Sequence, residues 1–158
     1  MSKKNILFVC LGNICRSPSA EAVMKAKLKE FGLEKKYYVD SAGITGFHEG
    51  EPADNRMRQH ANRRNYHLTS ISRPVNASVD FEWFDYIIGM DDQNMRDLSH
   101  IAKNESELSK LSKMTDYCTN YVHDSVPDPY YGGASGFELV LDLLEDACEG
   151  LIQRLEDE

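Results

Sequence analysis

The chain has 158 residues, 41% of them hydrophobic and 28% charged, with a formal net charge of -8 and a pI near 5.1. That length suits one domain with a substantial core, and the composition excludes a largely disordered chain. An acidic surface repels nucleic acid and anionic membrane, so neither is expected as a partner.

The N-terminal MSKKNILFVC has two lysines but too short an apolar run for a signal-peptide core, and no later stretch approaches the ~20 apolar residues of a membrane span. A cytoplasmic location is expected, where the four cysteines stay reduced and form no disulfide framework. Residues 5–10, NILFVC, form a continuous apolar run that predicts a buried, parallel strand. From Ser17 to about Phe31, apolar residues at Ala20, Val23, Met24, Leu28 and Phe31 follow helical spacing. Ser17 suits the N-cap, Pro18 the first helical position and Gly32 the stop.

The alternation continues with a strand over 37–43, a polar-faced helix over 54–66 and a third buried strand over 84–90, after which Asp91 and Asp92 start a helix. Residues 103–124 are poorly patterned, consistent with a short helix and an edge strand. Phe137, Val140, Leu141, Leu144, Ala147, Cys148, Leu151, Ile152 and Leu155 mark a long terminal helix. The predicted fold is a single α/β domain, a four-stranded parallel sheet with helices on both faces. In such sheets ligands bind at the carboxyl ends of the strands, where Cys10, Ser41 and Met90 emerge.

The segment CLGNICRS thus connects the first strand to the first helix. Helix N-termini present unpaired N–H groups and a positive dipole, and Gly12 and Asn13 tolerate left-handed backbone that curls such groups into a nest. Arg16 adds a planar fork matched to phosphate. The surroundings that bind an oxyanion also favour thiolate, making Cys10 the candidate nucleophile. Spacing alone is a weak guide, because CEGLIQR from Cys148 to Arg154 repeats the Cys-x5-Arg pattern inside the terminal helix, where Cys148 reads as core. A proton donor is needed for ester cleavage, and VPDPYYGG offers Asp128 on a rigid, proline-flanked loop, with Tyr130 and Tyr131 to wall a pocket. On its own that segment also reads as a turn.

With CLGNICRSP at one end, DPYYGG at the other, and SAG and MD after the second and third strands, the chain resembles the low-molecular-weight protein tyrosine phosphatases over essentially its whole length. The resemblance implies hydrolysis of phosphotyrosine through a cysteinyl-phosphate, with no metal and no organic cofactor. Cys10 is then the nucleophile and Asp128 the general acid and base. Arg16 and the loop residues Leu11, Gly12, Asn13, Ile14, Cys15 and Ser17 bind phosphate. Ser41 and Asn13 support the loop, and Ser17 donates to the sulfur. Cys15 matches a position able to form a disulfide with the nucleophile, against the plainer reading of a small packed residue. Phe47 is expected to sandwich the substrate ring with Tyr130 and Tyr131, or else to anchor its loop. Partners are phosphotyrosine proteins or peptides, phosphate and other oxyanions, met by a monomer.

One departure is that relatives carry a histidine where SISR, residues 70–73, has Ser70. Two alternatives stay open. Arsenate reductases share the fold and loop but need relay cysteines after the third strand, and residues 80–100 contain none. A phosphotyrosine-binding module without turnover would keep Arg16 and dispense with Asp128.

Overall fold

The computed structural model describes residues 3–158, the side chain of Tyr131 excepted. Four strands, β1 (Lys4–Cys10), β2 (Tyr37–Gly43), β3 (Tyr86–Gly89) and β4 (Leu111–Lys113), form an all-parallel sheet in the order β2-β1-β3-β4. Among the described residues six α-helices accompany them: α1 (Arg16–Glu30), α2 (Asn55–Asn62), α3 (Asp80–Trp83), α4 (Asp92–Ile101), α5 (Glu105–Leu108) and α6 (Gly133–Asp157).

Side chains of a strand alternate between faces, and β1 divides its residues accordingly. Ile6, Phe8 and Cys10 enter a core built with α1, α2 and α6, whereas Leu7 and Val9 enter a smaller core with Phe81 of α3 and Leu98 of α4. Both faces are therefore covered, as the unbroken apolar run of β1 requires. Among the described residues no helix is long and apolar enough to cross a membrane.

Several boundaries differ from the sequence reading. α1 begins at Arg16 with Cys15 as N-cap and no side-chain cap, so Ser17 and Pro18 lie inside the first turn. Pro18 is tolerated there because first-turn amides lack intrahelical partners anyway, and the Ser17 hydroxyl is engaged elsewhere. α2 ends at Asn62, short of 66, because Asn65 takes a left-handed φ of 67° while Tyr66 N–H bonds the Ala61 carbonyl and Asn65 N–H that of Asn62. Gly32, at φ 70°, closes α1 in the same way, with Leu33 N–H on the Leu28 carbonyl and Gly32 N–H on that of Lys29. The third strand is confined to Tyr86–Gly89, and the short helix α3 ahead of it has no strong sequence signal. The expected short helix and edge strand between 103 and 124 are α5 and β4.

The 25-residue α6 organises the far end of the chain. Its buried Asp146 accepts N–H groups from Thr119 (3.2 Å), Asn120 (3.0 Å) and Tyr121 (2.9 Å) and the Thr119 hydroxyl (3.0 Å), which pins the segment leading to Asp128. Gly150 lies so close to the 3-10 turn Met114–Tyr117 that a Cβ there would sit 1.8 Å from the Tyr117 carbonyl oxygen. Cys148 is fully buried on the same helix, burial pushes its thiol well up, and its sulfur faces the Ala20 carbonyl at 3.9 Å. The repeated Cys-x5-Arg pattern is thus a helix seam.

Candidate active site

The loop after β1 is held by its carbonyls. Cys10 O accepts Ile44 N–H (2.9 Å), Leu11 O accepts Thr45 N–H (3.0 Å), Ile14 O accepts Asp54 N–H (2.8 Å) and Cys15 O accepts Ser19 N–H (3.2 Å). The Ser72 hydroxyl donates to Gly12 O at 2.9 Å. In a trans peptide the C=O and the following N–H point in opposite directions. Carbonyls drawn outward by the surrounding structure therefore turn the N–H groups of Leu11, Gly12, Asn13, Cys15 and Arg16 toward the inside of the loop, an arrangement chemically able to hold an anion at the α1 N-terminus. Asn13 supplies the left-handed turn, with φ 57°. Gly12 serves by its size: a Cβ there would stand 2.9 Å from the His48 ring.

Beneath the loop runs a chain of hydrogen bonds whose direction is set from its carboxylate end. The Glu21 carboxylate, salt-bridged to Lys25 at 2.6 Å, accepts the Ser41 hydroxyl at 2.6 Å. Ser41 Oγ in turn accepts from the Asn13 amide nitrogen (3.0 Å), which also donates to Ser17 Oγ (2.8 Å). Ser17 Oγ, an acceptor from Asn13, stands 3.0 Å from Cys10 Sγ and 3.4 Å from the Ala42 carbonyl, the two groups that can take its one proton, and the Ser17 N–H points at the sulfur from 3.4 Å. The remaining amide oxygen of Asn13 accepts Arg73 N–H at 3.0 Å. Ser41 and Asn13 thus sit in the expected supporting positions. Around the departure at Ser70, the loop is braced from Ser72 and Arg73 of the same segment.

The two loop cysteines are chemically distinct. Burial first, then the charges of Asp54 and Cys10, push the Cys15 thiol far above its ordinary range, so it is held protonated. Cys10, at the floor of the cavity, faces both the N–H and the hydroxyl of Ser17. Arg16 is 4% exposed and keeps its charge: burial works against the cation, but Cys10, Asp91 and Asp128 outweigh it and raise its pKa. One guanidinium nitrogen, Nη1, donates to Asp91 Oδ2 (2.6 Å) and to the Val126 carbonyl (3.1 Å), and Nη2 faces Asp128 Oδ2 at 4.0 Å. Asp91 divides its oxygens, since Oδ1 caps α4 on Asn94 N–H at 2.7 Å.

Above this floor opens a cavity of about 440 Å³, lined by Cys10, Leu11, Gly12, Ile14, Cys15 and Arg16 below and by Thr45, Phe47, His48, Asp128 and Tyr130 above. Phe47 is 84% exposed and meets the His48 ring edge-on at 5.1 Å, so it is part of the rim and the buried-anchor reading is overturned. Asp128 is 43% exposed and fixed locally by accepting Tyr130 N–H at 3.0 Å. Asn13, Ser17 and Ser41 lie under the loop, outside the lining. The Tyr131 side chain falls outside the described residues.

Sequence reasoning missed Glu21, Asp54 and Ser72, and took Asp91 as a helix start only. A buried arginine demands a carboxylate partner, and that demand was the available signal for Asp91. Cys118, the remaining thiol, bonds the Leu143 carbonyl at 3.8 Å, with its pKa pushed up to about 12, first by burial and then by Asp146, far from any relay role.

The family model for low molecular weight phosphotyrosine protein phosphatase matches residues 5–158. A crystal structure of a protein tyrosine phosphatase from Entamoeba histolytica, with Hepes in its active site, superposes with a TM-score of 0.95 at 52% identity, covering 98% of each chain. The sequence is 39% identical to the low molecular weight protein-tyrosine-phosphatase YfkJ of Bacillus subtilis over 98% of this chain and 97% of that one. It is 33% identical to the low molecular weight phosphotyrosine protein phosphatase of Homo sapiens over 96% of this chain and 95% of that one.

Proposed function

Since the chain belongs to the low molecular weight phosphotyrosine protein phosphatase family, we propose that it hydrolyses aryl phosphate monoesters, phosphotyrosine in proteins or peptides foremost, through a phosphocysteine at Cys10. The observation that carries this is the placement of Cys10 Sγ under the donors of Ser17 at the floor of the nest, beside an arginine held charged.

In the first step Cys10 Sγ attacks phosphorus as a thiolate while the bond to the leaving phenolic oxygen breaks. The inward N–H groups and the Nε–Nη2 edge of Arg16 carry the charge that spreads over the equatorial oxygens. Asp128, entering the reaction protonated, gives its proton to the leaving oxygen. In the second step it takes a proton from the water that attacks the phosphocysteine, and inorganic phosphate leaves. Asp91 holds Arg16 in register by occupying Nη1. The aromatic rim of Phe47 and Tyr130 suits a phenyl ring, which reaches deeper than the side chain of phosphoserine. Four free thiols and a net charge of -8 agree with work in the cytoplasm, away from nucleic acid and membrane surfaces.

Hydrolysis of p-nitrophenyl phosphate by the wild type, Cys10→Ser and Asp128→Ala tests the reading. Cys10→Ser is expected to lose at least about 10⁴-fold in kcat while still binding phosphate or vanadate. Equal rates in all three proteins would overturn it.

A further inference from the structure

Arg56 belongs to no part of the site described so far. It stands in the first turn of α2, and its guanidinium carbon lies 5.2 Å from the centre of the Tyr130 ring and 5.0 Å from that of Phe137. Its base is fixed on two sides. Asp54, the N-cap of α2, ties that helix to the phosphate loop through its N–H on the Ile14 carbonyl and also accepts Arg56 Nη2 at 3.5 Å. One turn further along α2, His60 stacks on Phe137 with centroids 5.2 Å apart and an interplanar angle of 11°, and is hydrogen-bonded to Glu138 of α6. Arg56 and His60 thus grip one buried ring of α6, and the outer arm of that grip reaches the exposed ring at the cavity rim.

We propose that Arg56 is a positioning residue for the aryl wall, holding the Tyr130 ring over the cavity and so setting affinity for the ring of a substrate and not for its phosphate. Arg56 is absent from the lining, and it acts through Tyr130 by a cation–π contact that pays for itself only where ring and guanidinium are both held in place. The inference rests on the phosphatase reading for its substrate, but the contact it invokes can be read by binding alone.

The test compares full-length wild type with Arg56→Met, which keeps the length and loses the cation, and Arg56→Lys, which keeps the charge. Arg56→Met is expected to raise KM for p-nitrophenyl phosphate about fivefold with kcat nearly unchanged, and to leave competitive inhibition by inorganic phosphate unaffected; Arg56→Lys is expected to restore most of the KM. An unchanged KM, an equal loss of phosphate inhibition, or a lysine variant no better than methionine would each overturn the role. If the wild type turns over no aryl phosphate, the phosphatase reading falls separately. Calorimetric titration with phenyl phosphate and inorganic phosphate then decides the role of Arg56: selective weakening of the former in Arg56→Met supports it, and equal affinities in both proteins overturn it.

Discussion

Two loops, residues 10–17, proposed to hold phosphate, and residues 126–132, proposed to carry the acid, meet at Arg16 and are held in opposite ways. In the first, carbonyl after carbonyl is bonded to a partner outside the loop, and Cys10, Asn13 and Ser17 are buried. In the second, Val126 is anchored by its N–H on the Met90 carbonyl and its own carbonyl on Arg16, but two residues later Asp128 and then Tyr130 stand exposed. Donors that stabilise transition-state charge work by being fixed before the substrate arrives. A proton donor must approach a leaving group that has to enter and depart. On the proposed mechanism, rigidity is concentrated where charge develops, and latitude where the ester passes.

Substitutions can break or sharpen that contrast. The largest effect is expected from Asp128→Asn, which loses about 10²- to 10³-fold in kcat on a substrate with a poor leaving group. Its melting temperature and phosphate affinity stay near those of the wild type; a large loss of stability would show that the acid loop is as rigid as its counterpart. Asn13→Ala removes bonds to Ser17, Ser41 and Arg73. It is expected to cost about 3 kcal/mol of stability by denaturant unfolding, together with phosphate affinity. Full stability there would mean the carbonyl partners alone hold the loop. Asp91→Asn retains an oxygen to cap α4 and loses the charge on Arg16, for an expected drop of about tenfold in phosphate affinity measured by inhibition.

The smallest effect concerns the approach to the acid loop. Burial works against the Asp146 carboxylate, but the N–H groups of Tyr121, Asn120 and Thr119 outweigh it and hold its pKa below the usual carboxylate range. A depressed folded-state pKa contributes stability above the unfolded value near 3.9, and that contribution is lost as pH falls through the folded value. Unfolding of wild type and Asp146→Asn is therefore expected to differ by about 1 kcal/mol at pH 7, a gap that closes as pH falls through the folded value. A gap that persists in acid would assign the anchoring to neutral hydrogen bonds.

What could be read from the sequence was what is local. β1, the loop and α1 are contiguous, so an apolar run, a glycine and a helical pattern were enough to place Cys10 and Arg16 together. Cys148 was separable from Cys10 because helical periodicity put it on an apolar face. The Ser17 cap failed because its hydroxyl had a competing partner in the Cys10 sulfur, which no pattern within the helix reveals. The loop's outer partners Thr45, Asp54 and Ser72 lie 34 to 60 residues from the carbonyls they or their amides bind. Those pairings arise from the sheet order and from loops packed above it. Asp91 was visible as a cap because capping is local, whereas its second oxygen acts across the sheet. Ser70 likewise announced a missing histidine without indicating that the next residues already brace the loop.

The close approach at Gly150 makes α6 a ruler. A helix turns about 100° and advances about 1.5 Å per residue, so only one register lets the Tyr117 carbonyl lie against a position with no side chain. That same register sets the depth of Phe137 at one end and delivers Glu156 to Lys36 and Tyr37 at the other. A single-residue insertion anywhere between Phe137 and Gly150 would leave composition and hydrophobicity nearly intact, yet would displace Phe137 if Gly150 kept its place, or Gly150 and Glu156 together if Phe137 kept its own. The length of this segment is a measured quantity of the fold, whereas the exposed turn at residues 121–125, hung from Asp146 by its upstream end, has room to grow.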